Sequence, residues 1–266
     1  MADPLTPVIT CLKWGKGYPT HDTNVLFRAL TDLMTTPFRF ACITDEPEGL
    51  DAGIEVVDLP DFALPREDWN KGMWPKLATF KPGLFAPGTP VLMMDVDVVV
   101  IRDLTPLIDR IRERPGLHII HDWHDTHERW FPRLFPRVRH SNSSVVGFVA
   151  GTQDQIWDRF HGADYATLRP QINDQEFIHH HAVDRQYWPA GWVLSFKKSL
   201  AWHMPVNFAR AVPYPRDAFI VAFHGVPNPQ DLAQPKGTRW GTPEKFGYSP
   251  VPWVSDYLAR YRTPAV

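Results

Sequence analysis

Cysteine is scarce in this sequence. Among 266 residues only Cys11 and Cys42 occur, each in an apolar segment. Two cysteines cannot form the set of disulfides that stabilises small secreted domains. The N-terminus also has no basic stretch followed by a long apolar core, so it does not resemble a signal peptide. We therefore expect reduced, buried thiols and a cytoplasmic protein.

Long hydrophobic runs are missing as well. The most apolar segment, Val91–Ile101, contains two aspartates, whereas a membrane-spanning helix needs about 20 apolar residues. No transmembrane segment is expected. The 11 tryptophans leave a peripheral contact with a membrane surface open, because this side chain suits the membrane interface.

Neither sign of charge is in excess. The chain has 28 Lys and Arg residues against 30 Asp and Glu residues, which gives a formal net charge of −2. This balance excludes a nucleic-acid partner that is bound through a strong overall positive field. The hydrophobic fraction of 44% is typical of a folded globular protein and excludes a disordered chain.

Strands and helices alternate along the chain. Apolar runs predict strands at Pro7–Leu12, Phe38–Thr44 and Ile54–Leu59, and apolar residues at helical spacing predict a helix over residues 22–34. Further strands are expected at Val91–Val100, His118–His121, Ser144–Val149 and Phe219–Phe223. Further helices are expected from Pro75 and over Leu104–Arg114, Thr152–Phe160 and Asp174–Ala182, with N-caps at Asp22 or Thr23, Thr105, Thr152 and Asn173.

This alternation predicts an α/β protein with helices on both faces of a sheet. No Ser/Gly-rich linker divides the sequence, so residues 1–266 are expected to form a single domain. The chain after Phe223 is rich in Pro, Gly and Trp and is expected to run over the surface.

Two aspartates interrupt the apolar segment VLMMDVDVVV. If this segment is one strand, Asp95 and Asp97 project from the same face. Burial of two unpaired carboxylates is costly, and their repulsion raises one of the two pKa values. A divalent cation neutralises such a pair and fills its other positions with water and phosphate oxygens. The pair therefore predicts a metal and phosphate site at a strand end, where α/β proteins bind ligands.

A structural alternative exists for the same residues. The strand could end near Met94, with the aspartates in a solvated turn or paired with Arg102 or Lys76. The continuation VVVI favours the metal site, because a loop does not normally go on with four apolar β-branched residues.

The stretch KLATFKPGLFAPGTPVLMMDVDVVVIRDLTPL resembles nucleotide-sugar glycosyltransferases of the GT-A fold, above all family 8 and its bacterial relatives. In that family a basic residue precedes a helix, an apolar strand leads into Asp-x-Asp, and a D-L-x-x-L helix follows. The resemblance implies a GT-A-like fold with a mixed central sheet flanked by helices. It also implies that Asp95 contacts the ribose and the metal, that Asp97 ligates the metal, and that Lys76 lies near the donor phosphates.

Two later segments match the family in the same order. The segment NSSVV begins with Asn142, which the resemblance places beside the donor sugar or the acceptor, with Ser144 where the family has glycine. The segment NDQE contains Asp174 and Gln175. The resemblance implies that Asp174 binds a sugar hydroxyl or supports the acceptor, and that Gln175 lies near the anomeric carbon. The alternative is that both only begin a helix.

The last match is FHGVPNP, whose histidine, His224, the resemblance makes the third metal ligand. Asn228 stands where the family has a phosphate-binding lysine, and Lys236 follows outside the motif. The resemblance therefore leaves the group that stabilises the leaving phosphates unassigned.

The segment KWGKGY follows the first strand, at the place where the family binds the nucleotide. The resemblance implies that Lys13, Trp14 and Tyr18 bind the nucleotide, with an aromatic ring against the base. It also divides the domain into a nucleotide-binding half, residues 1–103, and an acceptor half with the C-terminal wrap, residues 104–266.

The function implied is a metal-dependent glycosyltransferase. It would move a sugar from a nucleotide-diphosphate sugar, with a UDP-sugar as the first expectation, to a glycan or another hydroxyl acceptor. Mn²⁺ or Mg²⁺ is expected, and an imidazole ligand favours Mn²⁺. Family 8 implies retention of the anomeric configuration, but no carboxylate is identified as a nucleophile or base, so the stereochemistry stays open.

A second group of histidines and arginines lies in the segment that begins with HDWHDTH. The histidines in HDWHDTH occur at every third position, which is wrong for a β-lactamase-type metal site, so a polar loop on the acceptor side is expected. The residues of this predicted loop are His121, Asp122, Trp123, His124, Asp125, His127, Arg129, Trp130, Arg133, Arg137 and Arg139. The triplet His179–His181 is expected to be a helix end.

Two other functions remain open. One is a catalytically weak or inactive sugar-nucleotide-binding protein. This alternative stays open because Asn228 stands where the family has lysine. The other is a sugar-nucleotide nucleotidyltransferase. That enzyme needs a Gly-rich phosphate loop with an arginine after the first strand, and Trp14–Tyr18 does not supply one.

Overall fold

The computed structural model describes residues 5–62, 64–123, 133, 140–161, 173–243 and 245–263. The strands are β1 (Val8–Lys13), β2 (Arg39–Thr44), β3 (Glu55–Asp58), β4 (Pro90–Met94), β5 (Val98–Val100), β6 (His118–His121), β7 (Ser141–Val149), β8 (Gln186–Tyr187), β9 (Val193–Ser195), β10 (Ile220–Ala222), β11 (Arg239–Gly241) and β12 (Phe246–Tyr248). The α-helices are α1 (Thr20–Leu33), α2 (Trp69–Gly72), α3 (Thr105–Glu113), α4 (Asp154–His161), α5 (Asp174–His181) and α6 (Pro252–Tyr261). Short 3-10 helices span Arg66–Asp68, Trp74–Phe80, Val206–Phe208 and Pro229–Ala233, and a π-type turn spans Phe196–Leu200.

A mixed seven-stranded sheet forms the centre of the protein, in the order β3-β2-β1-β4-β7-β6-β8. The first four are parallel, and β7 is antiparallel to both β4 and β6. Along β1, Val8 and Leu12 pack into one core, and Ile9 and Cys11 pack into another. Both faces of the strand are covered, and all six of its residues are buried. The predicted α/β class with a mixed central sheet is confirmed.

The prediction of one strand over Val91–Val100 is wrong. β4 ends at Met94 in the seven-stranded sheet, and β5 begins at Val98 in a second sheet of order β5-β10-β9. The chain changes sheets between Asp95 and Asp97, so strand alternation does not govern these two side chains. The break is invisible in the sequence pattern because both strands are buried, which keeps the segment apolar on either side of it.

The beginnings of three helices test the predicted caps. α1 begins at Thr20, before the predicted caps. Thr105 is the first residue of α3 and not its cap. Its N–H and its hydroxyl both donate to Asp103 Oδ1, at 3.0 and 2.7 Å. Asn173 caps α5 as predicted, since its side chain accepts the N–H of Glu176 at 3.1 Å.

The last part of the chain has more regular structure than predicted. After β10 come the β11–β12 hairpin and the helix α6. α6 is tied to α1 because the hydroxyl of Tyr261 donates to Asp32 Oδ2 at 2.6 Å. In the described part of the chain, no helix has both the length and the apolar character needed to cross a membrane.

Gly147 on β7 gives a test of core packing. A Cβ at this position would lie 2.6 Å from Ile111 Cδ1 and 2.8 Å from the ring of Trp188. We expect Gly147→Ala to lower the free energy of unfolding by about 1–3 kcal/mol through overpacking, as measured by denaturant unfolding. Gly17→Ala is the control, because its Cβ would meet nothing within 4 Å. Equal losses in the two variants would contradict the overpacking.

Candidate functional site

A cleft of about 1030 Å³ opens at the ends of strands from both sheets. It lies beyond the carboxyl ends of the parallel strands β1 and β4, where open α/β sheets bind ligands. Every predicted site residue except Lys13 lines this cleft, namely Trp14, Tyr18, Lys76, Asp95, Asp97, Asn142, Asp174, Gln175 and His224.

The register of the small sheet explains why distant residues meet there. Val98 of β5 and Ser195 of β9 both pair with Ala222 of β10. Because β5 is antiparallel to β10 and β9 is parallel to it, β5 begins where the other two strands end. Asp97, which immediately precedes β5, therefore lies beside the residues that follow β10, among them His224.

The two aspartates have different surroundings. Asp95 extends the pairing of β4 with β7, since its N–H donates to the Ser144 carbonyl at 3.0 Å. Its carboxylate lies 2.6 Å from Lys76 Nζ and is 17% exposed. Burial, and then repulsion from Asp95, raises the pKa of Asp97 to about 8. At neutral pH the protein by itself therefore favours the protonated, uncharged form of Asp97, and a bound cation would favour its carboxylate.

Lys76 projects into the cleft from the 3-10 helix Trp74–Phe80, whose apolar residues are buried. Burial by itself would lower the pKa of Lys76, but the carboxylates of Asp95, Asp174 and Asp97 outweigh it and raise the pKa. The structural alternative raised for the sequence is thus partly realised, because β4 does end at Met94 and Asp95 does pair with Lys76. The pair lies in the cleft and not in a solvated surface turn.

The start of β7 and the start of α5 form another part of the wall. Ser143 Oγ donates to Asp174 Oδ2 at 2.5 Å, and Asn142 Nδ2 donates to Gln175 Oε1 at 3.4 Å. Burial raises the pKa of Asp174, although Lys76 and Ser143 oppose the shift. Asp174 and Gln175 do begin a helix, as the alternative held, and both are also held at the cleft by side chains of β7.

His224 is fixed on two sides. Its Nε2 lies 2.7 Å from Ser195 Oγ. Its ring stacks on Trp123, with centroids 5.3 Å apart and planes 8° apart. These contacts hold the imidazole at the end of β10 and within the cleft.

The loop after β1 supplies aromatic side chains. Trp14 and Tyr18 line both the cleft and an adjoining recess of about 120 Å³. Trp14 Nε1 donates to Asn70 Oδ1 at 2.8 Å. Burial, and then Asp97, raises the pKa of Tyr18 to about 12.

Lys13 does not take part in this wall. Its side chain is 3% exposed, and its Nζ donates to the Glu46 carbonyl at 3.1 Å. Lys13 thus holds the loop after β2, and its position gives no support to the predicted contact with a nucleotide.

Several basic residues in the cleft were not predicted from the sequence. These residues are Lys71, Lys197, Lys198, His203 and Lys245. Lys197 and Lys198 follow β9, a short strand that the sequence pattern did not reveal. The lysine pair, separated from β9 by Phe196 alone, is the signal that could have drawn attention to them.

Asn228 and Lys236 do not line the cleft. Asn228 and Asp231 form a reciprocal cap at the start of the 3-10 helix Pro229–Ala233. Asn228 borders a recess of about 240 Å³ that shares Tyr18 and Asp97 with the cleft. Lys236 is exposed.

The predicted acceptor loop is described only in part. His121 is exposed and packs edge-on against Tyr187, with ring centroids 4.7 Å apart, and Asp122 lines the cleft. Arg133 is exposed. The residues His124, Asp125, His127, Arg129, Trp130, Arg137 and Arg139 lie outside the described residues. The triplet His179–His181 ends α5, as predicted.

The fit of a metal to these groups is partial. The carboxyls of Asp95 and Asp97 suit a divalent cation that takes two protein oxygens and completes its shell with water and phosphate. Within the described ranges, no three His, Cys, Asp or Glu side chains are gathered closely enough to hold an ion. His224 lines the same cleft, but it is not assembled with the aspartates into a three-residue ligand set.

The strand order, the second sheet that starts right after Asp-x-Asp, and the cleft at the strand ends define a GT-A-like fold. Solved structures agree with this assignment. Two structures of LgtC, one of them the galactosyltransferase in complex with donor and acceptor sugar analogs and one an active-site Gln-to-Glu mutant, superpose with TM-scores of 0.55 and 0.56. Each is 14% identical to this chain, and 97% of both chains is covered.

A third similar structure is the apo form of the glycosyltransferase GlyE of Streptococcus pneumoniae. Its TM-score is 0.55 at 10% identity, and the match covers 95% of this chain and 60% of GlyE. No protein-family model and no curated protein matches this sequence. The GT-A-like fold expected from the sequence is confirmed, and at these identities the likeness concerns the fold.

The Lys76–Asp95 pair generates a stability prediction. Lys76→Met removes the ammonium and leaves two carboxylates close together, so we expect a loss of about 1–3 kcal/mol in the free energy of unfolding at neutral pH. Adding Asp95→Asn to this variant is expected to restore part of the loss, because the repulsion disappears. Denaturant unfolding of the two variants measures both effects, and an unchanged or worse double variant would contradict the pairing.

His179 generates a pH prediction, since its Nδ1 lies 2.6 Å from the hydroxyl of Ser141 at the start of β7. Burial, then Arg185 and His140, lowers the pKa of His179 to about 4, whereas an unfolded histidine titrates near 6.5. The neutral form is therefore favoured by folding, and its contribution is present above about pH 6.5 and is lost as the pH falls toward 4. We expect His179→Gln to flatten the fall in melting temperature over this window, and an unchanged slope would contradict it.

Proposed function

We propose that this protein is a glycosyltransferase that transfers a sugar from a nucleoside-diphosphate sugar to a hydroxyl group of an acceptor, with a divalent cation as cofactor. The observation that carries the proposal is the carboxylate pair Asp95 and Asp97 at the sheet junction, in one cleft with Lys76, His224 and the start of α5. The glycosyltransferase neighbours support sugar transfer in general, through the fold that they share with this chain.

The donor phosphates are assigned to the carboxylate side of the cleft. Asp95 and Asp97 would hold the cation, with His224 as a further ligand, and Asp95 would also contact the ribose. The bound cation supplies Lewis-acid neutralisation of the leaving diphosphate. Lys76 adds a second positive charge there, because its ammonium is held at Asp95 by the 2.6 Å ion pair.

The sugar is assigned to the wall built by β7 and α5. Asp174 is positioned by Ser143 and would bind a sugar hydroxyl, while Gln175 is positioned by Asn142 and would lie near the anomeric carbon. The active-site mutant of LgtC, in which a glutamine became glutamate, supports an active-site role for a glutamine in this fold.

The nucleoside is assigned to the loop after β1. Trp14 and Tyr18 border both the cleft and the recess beside it, so a base placed there would meet an aromatic side chain while its phosphates point to Asp95. A UDP-sugar is our first choice of donor, and Mn²⁺ or Mg²⁺ our choice of cation.

The transfer itself replaces one bond at the anomeric carbon by another. The bond from this carbon to the diphosphate oxygen breaks, and its electron pair leaves with the diphosphate. The acceptor oxygen bonds to the carbon and loses its proton. Retention of the anomeric configuration is part of the proposal and is tested by NMR assignment of the product anomer.

Donor binding gives the direct test. A panel of UDP- and GDP-sugars is added in thermal-shift assays with and without Mn²⁺. We expect one donor to stabilise the protein by about 2–3 kcal/mol at a hundredfold excess over its Kd, and this stabilisation to depend on Mn²⁺. Asp97→Asn is expected to abolish the Mn²⁺-dependent part.

The matched control is Asp58→Asn, an exposed carboxylate at the end of β3 that should leave the response unchanged. Donor hydrolysis is measured in parallel. No response from any donor with metal present would overturn the proposal. Binding without hydrolysis or transfer would instead support a non-catalytic sugar-nucleotide-binding protein.

A further inference from the structure

One task of the proposed reaction has no residue assigned to it by the sequence motif. The motif position for the phosphate-binding lysine is Asn228, an uncharged residue that caps a 3-10 helix and borders a recess next to Asp97. The leaving diphosphate gains negative charge, and a positive charge must compensate for it. The lysines that line the cleft carry such a charge. The inference drawn from them rests on the proposed function.

Lys197 is brought to the end of β10 by strand register. Ser195 pairs with Ala222, and β9 and β10 are parallel, so the residues after both strands run side by side. Phe196 stacks on Phe223, with centroids 4.9 Å apart and planes 15° apart. Lys197, one residue further along, therefore lies beside the segment that starts at His224.

A distance confirms this neighbourhood. The Nζ of Lys197 lies 3.8 Å from the point where a Cβ on Gly225 would be. Gly225 has a φ of +74° and directly follows His224. The ammonium of Lys197 thus reaches the same His-Gly turn that leads to Asn228, but it comes from a different strand.

The backbone around Lys197 is held by hydrogen bonds from two sides. Ser195 accepts the N–H of Lys198 at 3.0 Å through its Oγ, the same atom that lies 2.7 Å from His224 Nε2. On the other side, Lys245 Nζ donates to the Lys197 carbonyl at 2.7 Å. Lys245 also lines the cleft, so its ammonium lies at the backbone of Lys197 on the cleft wall.

We propose that Lys197, supported by Lys245, binds the leaving diphosphate in place of the lysine that the motif lacks. Neither lysine is assigned a proton transfer. Their positive charge compensates the charge that moves onto the diphosphate oxygen when the bond to the anomeric carbon breaks. A charge held next to His224 is placed to act on the same phosphates as the proposed cation.

Calorimetric titration with UDP and with uridine, in buffer containing Mn²⁺, tests this assignment. Lys197→Met removes the charge and keeps most of the apolar stem. We expect it to weaken UDP binding roughly 10- to 100-fold and to leave uridine binding unchanged, because only UDP carries the diphosphate. Lys197→Arg is expected to retain most of the UDP affinity, and Lys245→Met to lose less than Lys197→Met.

Lys236→Met is the matched control, since this lysine is exposed and lies outside the cleft. Circular dichroism checks that each variant is folded. Equal UDP affinity in Lys197→Met and Lys236→Met would overturn the assignment while leaving the proposed function intact. Equal losses for UDP and uridine would overturn it too, because they would show a structural effect. Failure of the wild-type protein to bind UDP, GDP or ADP would count against the proposed function itself.

Discussion

Two carboxylates at a buried junction between sheets set the main constraint on this molecule. The chain leaves one sheet after Met94 and enters another at Val98, with Asp95 and Asp97 between them. Neither position offers enough water to leave the charges without compensation, which is why a lysine lies 2.6 Å from Asp95 and why the pKa of Asp97 rises to about 8. Carboxyl groups whose pKa is strongly shifted are concentrated at functional sites, and this pair lies in the cleft.

The rest of the cleft follows from how the two sheets end. β1 and β4 bring their carboxyl ends to it, β7 starts there, and the small sheet turns there after β9 and β10. Side chains from well-separated parts of the sequence therefore meet at the cleft. The contacts that orient them are modest in number and specific: Ser143 on Asp174, Asn142 on Gln175 and Ser195 on His224.

The predicted residues of the cleft wall came from the resemblance to family 8. The sequence pattern itself was sufficient to predict most strands of the central sheet and one helix cap, because these leave local signals. Asn173 is an example, as its capping contact with Glu176 depends on neighbours in the chain. The break after Met94 left no such signal, since both strands are equally apolar. Lys197 was missed for another reason: its place in the cleft depends on the pairing of short strands far apart in sequence. Lys245 lies between β11 and β12, a hairpin of two short strands that the sequence pattern did not reveal. The contact of Lys13 with a nucleotide stays a prediction, and in the structure its Nζ donates to the Glu46 carbonyl.

The small sheet has a consequence for the time at which the cleft can exist during synthesis. Its strands come from Val98–Val100, Val193–Ser195 and Ile220–Ala222, and the middle partner of the three is the last one made. Pairing between such remote segments is slow to form, because the entropy of a long stretch of chain is lost before the stabilising contacts are made. A ribosome-bound chain that ends before Ile220 can build the first four parallel strands, but it has nothing against which to pair β5. The binding surface is therefore completed only after Ala222 has been made, and a chain cut short before that point would retain much of its central sheet without a closed cleft.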